Sequence, residues 1–467
     1  MLAFVATLAI VARDQTPVRA APSSSAAELT TLSQGDTVEV RDERAGYLKV
    51  YNYRRERGGY VRADMVRPTG TSETDAPQLL AVLRFLRDSP GSEALGISYG
   101  AAYLKAVPAR GLTAEPFDAL ARMAERLADQ ASNIAGRPSE AAAHLEVVQQ
   151  FGIHMRSFER SGRMHVCYDG ELFRRVLAQG GASSEARAHA ALGLTRPDCI
   201  DPDTGPAQRT AIDDERRELL EQVTDQELSA MTRSLLHARR AGVWAATAFE
   251  QARRGESSRA AAERALAELL AVKANDLGDD HRGEFDDAAL RVSAVRWASN
   301  VPAPLSGPLL LNAAPGDPGQ TCVALIDVHA GRTAPLVRRC TYGIVWINSA
   351  QTIPKGPALA LAVQPLESWR ELWLFHEKAG AWSIDVLSPG ADDPEEGYVE
   401  FAGYAPGTRR LLVAREVKDH GRFRRRFEEL RLDDLALVRQ ASSPELLRDF
   451  GWWQDVEWRR DTLALRH

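Results

Sequence analysis

The sequence predicts a multidomain α+β protein with a small β-barrel at the N-terminus, a central all-α region, and a C-terminal antiparallel β region built as a partial propeller or a sandwich. Three observations lead there. Up to residue 68, short β-type runs alternate with turn residues. Residues 77–300 carry apolar residues at helical spacing. After Pro302 and Pro304 the chain changes to short runs rich in Val, Leu, Ile and Trp, separated by Gly, Pro and Asp. A chain of 467 residues also exceeds what one hydrophobic core usually organises. With 44% apolar and 26% charged residues it can bury real cores and is not a disordered type. The formal net charge of -6, with no long basic block, argues against nucleic acid as a ligand.

Leu2 to Ala12 is the one membrane-like run. It is too short to span a bilayer and has the length of a signal-peptide apolar segment. No Lys or Arg precedes it, and its second half also reads as a first β-strand. The expectation is that residues 1–5 are the remnant of an export signal whose basic end lies upstream, the mature chain starting near Ala6. No membrane span is expected.

From Ala6 to Pro68 the elements follow in order. Leu8 and Ile10 alternate, and Thr16-Pro17-Val18-Arg19-Ala20-Ala21-Pro22 leads through a Ser-rich loop to Leu32, Gly35 and Thr37-Val38-Glu39-Val40. Val38 and Val40 point to one face. After a turn at Asp42 to Gly46 come Tyr47-Leu48-Lys49-Val50, then Gly59-Tyr60-Val61-Arg62 and Met65-Val66.

Taken together, Val18-Arg19 before a Pro-Ser loop, Leu32-x-x-Gly35-x-x-Val38-x-Val40, an aromatic after Gly46 and a closing Gly59-Tyr60-Val61 resemble the bacterial SH3 (SH3b) domain family over residues 6–68. The chain departs from the family pattern at Pro17, where Asn is frequent, at Tyr47, where Trp is frequent, and in the charged loop Tyr51 to Arg57. The resemblance implies an SH3-like barrel whose partner is a protein or a peptidoglycan peptide. Tyr47, Tyr51, Tyr53 and Tyr60 are the candidate ligand-binding residues, as an aromatic-lined groove. The competing reading, favoured by residue type alone, makes them half-buried barrel residues with hydroxyls at the rim. Arg54, Arg55 and Arg57, offset by Glu56, read as a solvated hairpin tip.

Residues 69–76 form a polar linker, and the helical region 77–300 follows. Leu79, Leu80, Leu83, Phe85 and Leu86 make one apolar stripe, and Phe117, Leu120, Ala124 and Leu127 another. Thr224 with Glu227 fits a capping box. The region predicts a bundle or a solenoid-like array without a fixed repeat.

Gly96-Ile97-Ser98-Tyr99-Gly100 matches the GxSxG pattern of serine hydrolases, yet no strand precedes Ser98 and no alternating βα pattern supplies a sheet. A small-residue helix contact is the expectation. His144, His154, His165 and His189 have no carboxylate at ligand spacing and read as surface or capping residues. The acidic run Asp276 to Asp287 fails the calcium-loop pattern and reads as a solvated loop.

Four cysteines fall in two local pairs, Cys167 with Cys199 and Cys322 with Cys340. In an exported protein these pairs oxidise, each disulfide stabilising its domain by roughly 3 kcal/mol in the chain-entropy model. The alternative is four buried free thiols in a cytosolic protein. There is no CxxC, and no metal or cofactor is expected.

The β-rich region 301–467 has strand-like runs at Thr321–Val328, Tyr342–Ile347, Ala358–Val363, Leu372–Phe375, Trp382–Leu387 and Tyr398–Phe401. Residues 401–439 resemble a β-propeller blade locally. Trp346, Trp369, Trp373 and Trp382 read as core, and Trp452, Trp453 and Trp458 as residues that pack the tail back. No constellation supplies catalytic chemistry. The sequence therefore points to a non-catalytic bacterial envelope protein, periplasmic or extracellular, that binds or scaffolds through its N-terminal module. The alternative is an envelope hydrolase with Ser98 as nucleophile.

Overall fold

The structure is a computed structural model that describes residues 7–133, 138–160, 162–300, 308–328, 334–353, 358–378, 380–390, 396–419 and 422–464. The expected signal remnant, residues 1–5, lies outside them. The chain divides into two compact units, residues 1–208 with 219–228, and residues 209–218 with 229–467.

The first unit begins with β1 (Thr7–Val11), β2 (Thr16–Arg19), β3 (Glu28–Leu32), β4 (Thr37–Arg44), β5 (Tyr47–Asn52), β6 (Arg57–Arg62) and β7 (Val66–Thr69). They form an antiparallel sheet in the order β3-β2-β6-β5-β4-β1-β7. Its inner face carries Ala9, Val11, Val18, Leu32, Val38, Val40, Leu48, Val50, Val61 and Val66 as the core, the alternation at Val38 and Val40 holding, whereas in β1 Ala9 and Val11 enter this core and Leu8 of the expected Leu8–Ile10 pair is exposed. Among the described residues the sheet does not close into a ring, because β3 and β7 stand at its edges.

Helices α1 (Ala76–Arg87), α2 (Glu93–Ala106), α3 (Ala114–Ser132) and α4 (Pro138–Gln149) follow, then strands β8 (Met155–Arg160) and β9 (Arg163–Tyr168), and helices α5 (Glu171–Ala178) and α6 (Ser184–Leu194); most of the next helix, α7 (Pro206–Glu221), belongs to the second unit. The expected stripes are buried: Leu83 of α1 meets Phe117, Leu120, Ala124 and Leu127 of α3 in one core with Ile97 of α2 and Phe173 of α5. Phe85 alone of the first stripe faces solvent. The middle of the chain is not all-α. Met155–Arg160 and Arg163–Tyr168 pair as an antiparallel hairpin, with Gly162 at φ +72° in the turn. The disulfide Cys167–Cys199 fastens this hairpin to the turn Pro197–Cys199.

The second unit holds α8 (Ala230–Arg253), α9 (Arg259–Ala271) and α10 (Asp279–Val295). The N-cap of α8 is Ser229, whose hydroxyl accepts from the Thr232 N–H, so Thr224 and Glu227 are not its capping box. The acidic run is likewise no loop, since most of it forms α10. Glu284 there pairs with Arg239, and Asp287 with Arg291. An acidic first turn suits a helix N-terminus, a fit a calcium-loop template overlooks.

Strands β10 (Leu309–Pro315), β11 (Thr321–Asp327) and β12 (Val337–Thr341) form a three-stranded sheet, in which Cys322 and Cys340 face each other and are disulfide-bonded. The larger sheet contains β13 (Ile344–Thr352), β14 (Ala358–Leu366), β15 (Trp369–Lys378), β16 (Ala381–Leu387), β17 (Gly397–Ala405), β18 (Arg410–Asp419), β19 (Arg422–Arg431) and β20 (Leu437–Ala441). The meander β17 to β20 occupies the segment expected to be a propeller blade, but it continues into β15, β14 and β13, so it is part of one sheet. Its junction with β15 is parallel, pairing Trp369 with Gly397 and Arg370 with Tyr398. The region is thus not purely antiparallel.

Trp346, Trp369 and Trp373 are buried. After β20 come α11 (Arg448–Trp453) and α12 (Val456–Ala464). Only Trp458 of the tail tryptophans packs back, beside Phe427 and Phe450; Trp452 and Trp453 are exposed. Arg370, with no exposed surface, bonds Glu400, which also accepts from Arg296 and from the Trp458 indole. A buried charge is tolerated only with partners of this kind. The arginine-rich β19 and its neighbour β18 form cross-strand pairs, Arg425 with Glu416 and Arg415 with Glu428.

Candidate functional site

The four candidate tyrosines lie on the N-terminal sheet, and strand alternation explains their placement. Leu48 and Val50 fill the core, so Tyr47, Lys49 and Tyr51 of β5 take the outer face. The register sets Tyr47 opposite Arg62, Lys49 opposite Tyr60 and Tyr51 opposite Gly58 of β6. Tyr60 is therefore a diagonal neighbour of both Tyr47 and Tyr51, at a spacing of about 7–8 Å that aromatic side chains bridge. All three are half-buried. Gly58 stands opposite Tyr51, where a Cβ would lie a tight 3.2 Å from the ring.

Tyr53 stands in the β5–β6 turn, and its ring meets that of Tyr51 edge-on at 5.0 Å. Its hydroxyl donates to Glu39 Oε2 at 2.7 Å, and Arg41 bonds the same oxygen at 2.7 Å while lying 4.5 Å over the Tyr51 ring. Arg41 first, then Tyr53, holds the Glu39 carboxyl below its ordinary range. Beside this closed cluster stand two basic residues, Lys49 opposite Asp42 and Arg44 opposite Tyr47. Arg44 and Lys49 are exposed and have no ionic partner among the described residues.

The basic loop is not a free hairpin tip. Arg54 bonds Asp36, a carboxylate with no exposed surface, at 2.8 Å and reaches Glu146 of α4 at 3.0 Å. Its charge neutralises a buried acid and ties the sheet to the helices, which leaves it no ligand role.

Ser98 is buried within α2, and its hydroxyl has two carbonyl acceptors, Gly35 at 2.6 Å and Ala94 at 2.8 Å. It follows no strand. The flanking glycines have a packing reason: a Cβ at Gly100 would stand 2.5 Å from Leu120 Cδ2, and one at Gly96 would strike Met123, both on α3. The motif is a close helix contact on one side and a joint to the sheet on the other.

The histidines differ from expectation. His154 is exposed, but His144, His165 and His189 are half-buried and face carboxylates brought from other elements, His189 also having Glu185 at 3.5 Å on its own helix. His144 lies 2.8 Å from Asp14 of the β1–β2 turn, 3.3 Å separates His165 from Asp198, and His189 stands 4.0 Å from Asp118. Burial pushes the Asp118 carboxyl up to about 6 and the His189 imidazole down to about 4. Sequence spacing could not show these pairs, which are far apart along the chain.

Residues 14–67 match the family model described as Bacterial SH3 domain. The remainder of the chain has no recognised family. No characterised protein and no solved structure shows significant similarity to the chain. The domain suggests a binding or cell-wall-associated module. Together with the two disulfides it is consistent with an exported protein, and no helix among the described residues is long and apolar enough to cross a membrane.

Proposed function

We propose that this protein works in the bacterial envelope without catalytic turnover, and that its N-terminal SH3-like sheet binds a short anionic peptide of the kind the cell wall presents. The observation that carries the reading is the outer face of β5 and β6. Tyr47 and Tyr60 are diagonal neighbours there, with Tyr51 under Arg41 beyond them and the exposed cations Lys49 and Arg44 beside them. Aromatic rings grip an extended chain at little entropic cost, and free cations favour its carboxylates. Cys167–Cys199 and Cys322–Cys340 suit an oxidising compartment, which supports export.

Titration of the full chain with soluble peptidoglycan fragments tests the reading. Saturable binding is expected, weakened by Tyr60→Ala and by Lys49→Glu. Deleting residues 1–68 is a poor substitute, because it would strip Arg54 and Gly35 from α4 and α2.

A further inference from the structure

We infer that the Cys167–Cys199 disulfide closes a latent zinc site, which opens when the bond is reduced. His165 and Cys167 sit two residues apart on β9 and so share one side of the strand. Cys199 ends the turn Pro197–Cys199 facing them. The two sulfurs and an imidazole nitrogen all lie within 4.8 Å of one another. His165 Nε2 is a buried atom without a hydrogen bond, 3.3 Å from Asp198 Oδ2. Two thiolates and an imidazole are a soft donor set of the type zinc takes, and water or a further ligand would complete the coordination.

The cysteines do not depend on their covalent bond to stay together. On one side, Ser132 at the end of α3 pins β9, its hydroxyl accepting from Val166 N–H at 2.9 Å. On the other, Arg196 joins the Cys199 turn to the same helix through Asp129 at 2.7 Å and Glu125 at 3.4 Å, and Arg160 of the hairpin donates to the Asp198 carbonyl at 3.1 Å. The site is therefore preorganised in the reduced chain. Arg196, 2.5 Å from Asp198, also balances the negative charge of that carboxylate beside a zinc dithiolate.

The chemistry balances. A dithiol reductant transfers two electrons, the protein S–S bond breaks to two thiols, and the reductant leaves as its own disulfide. Zinc then displaces both thiol protons, forming two Zn–S bonds and one bond to neutral His165. Cys322–Cys340 is an internal control, since no third donor is grouped with it among the described residues.

The test uses the full chain, reduced with dithiothreitol, desalted without oxygen and titrated with cobalt(II) as a spectroscopic stand-in for zinc. The expected result is one cobalt per chain with thiolate-to-cobalt charge-transfer absorption, displaced by zinc and absent from the oxidised protein. It should persist in the Cys322→Ser, Cys340→Ser double variant. His165→Ala, checked by circular dichroism to fold in its oxidised form, should lose affinity by more than the ~10–100-fold typical of disturbing an outer partner. The inference is overturned if the reduced wild type shows no charge-transfer absorption, if His165→Ala binds as tightly, if the oxidised protein binds equally well, or if reduction unfolds the chain and cobalt does not restore it.

Discussion

The Ser98 hydroxyl donates a 2.6 Å hydrogen bond to the carbonyl of Gly35, joining helix α2 to the N-terminal sheet at a fully packed point. Gly35 has φ +88°, and a Cβ there would stand 2.6 Å from the Ala94 carbonyl and 2.9 Å from Ser98 Oγ. Ser98→Ala should therefore cost about 1–3 kcal/mol of stability, the usual penalty for a buried acceptor losing its donor. Gly35→Ala should cost more, because the left-handed conformation alone carries about 1–3 kcal/mol before the clash is added. Urea unfolding of the two variants measures both. Ligand retention by folded Ser98→Ala should match wild type, whereas a catalytic serine would show lost turnover.

A second prediction concerns Asp118, whose Oδ1 is buried without a hydrogen bond and whose nearest cation, Arg122, is 4.0 Å away. The carboxyl is raised from 3.8 to about 6, burial being the main cause. The folded state thus binds the proton more tightly than the unfolded chain, and the cost of the carboxylate is fully developed above about pH 6. It vanishes below the unfolded value of 3.8. Asp118→Asn should raise unfolding free energy at pH 8 by up to about 3 kcal/mol, and the gain should fade as pH drops toward 4. An unchanged or lower stability at pH 8 would contradict this.

The Asp14–His144 pair should behave oppositely. The hydrogen bond to Asp14 is the main cause raising the His144 imidazole. Burial would raise Asp14, but its bonds from His144 and Gln34 hold it below 3.8. The histidine's contribution is fully present below its unfolded value of 6.5 and is lost as pH rises through the raised value. The carboxylate's is present above 3.8 and is lost as pH falls through the lowered value. His144→Gln should accordingly destabilise most between about pH 4 and 6.5, with the difference from wild type shrinking at pH 9. Thermal unfolding across that range measures it.

Non-reducing peptide mapping of protein isolated from the envelope should recover Cys167 linked to Cys199 and Cys322 linked to Cys340. Four free thiols in exported protein would contradict the assignment to an oxidising compartment. Reducing either bond should cost about 3–4 kcal/mol, the chain-entropy value for loops of 32 and 18 residues.

Local signals explain what the sequence made legible. The α3 stripe at Phe117, Leu120, Ala124 and Leu127 is a face at period 3.6, and Val38, Val40, Leu48 and Val50 are a face at period 2; both need only neighbouring residues to be read. The hairpin β8–β9 has a turn glycine and β-forming residues, but so short a signal is masked by the helical periodicity on either side. The closure of the cysteine pairs was readable because partners were near in sequence. His144 with Asp14 and Arg54 with Glu146 were not, since 130 and 92 residues separate them and only the folded chain brings them together. Strand alternation places Tyr47, Tyr51 and Tyr60 on the outer face and could be read from β5 and β6 alone. That Tyr53 is tied to Glu39, and that Arg54 serves a buried acid, required the register of β4 against β5.

The central claim is that the outer face of β5 and β6 binds cell-wall peptide without turning it over. Co-sedimentation of the full chain with purified peptidoglycan sacculi tests it most directly, with soluble wall fragments assayed in the same tubes. Wild type and Ser98→Ala should be retained saturably, Tyr60→Ala should lose about tenfold or more, as expected for an aromatic anchor contributing at least about 1.4 kcal/mol, and none of them should release fragments. Absence of retention, retention that survives Tyr60→Ala and Lys49→Glu together, or fragment release by wild type would contradict it.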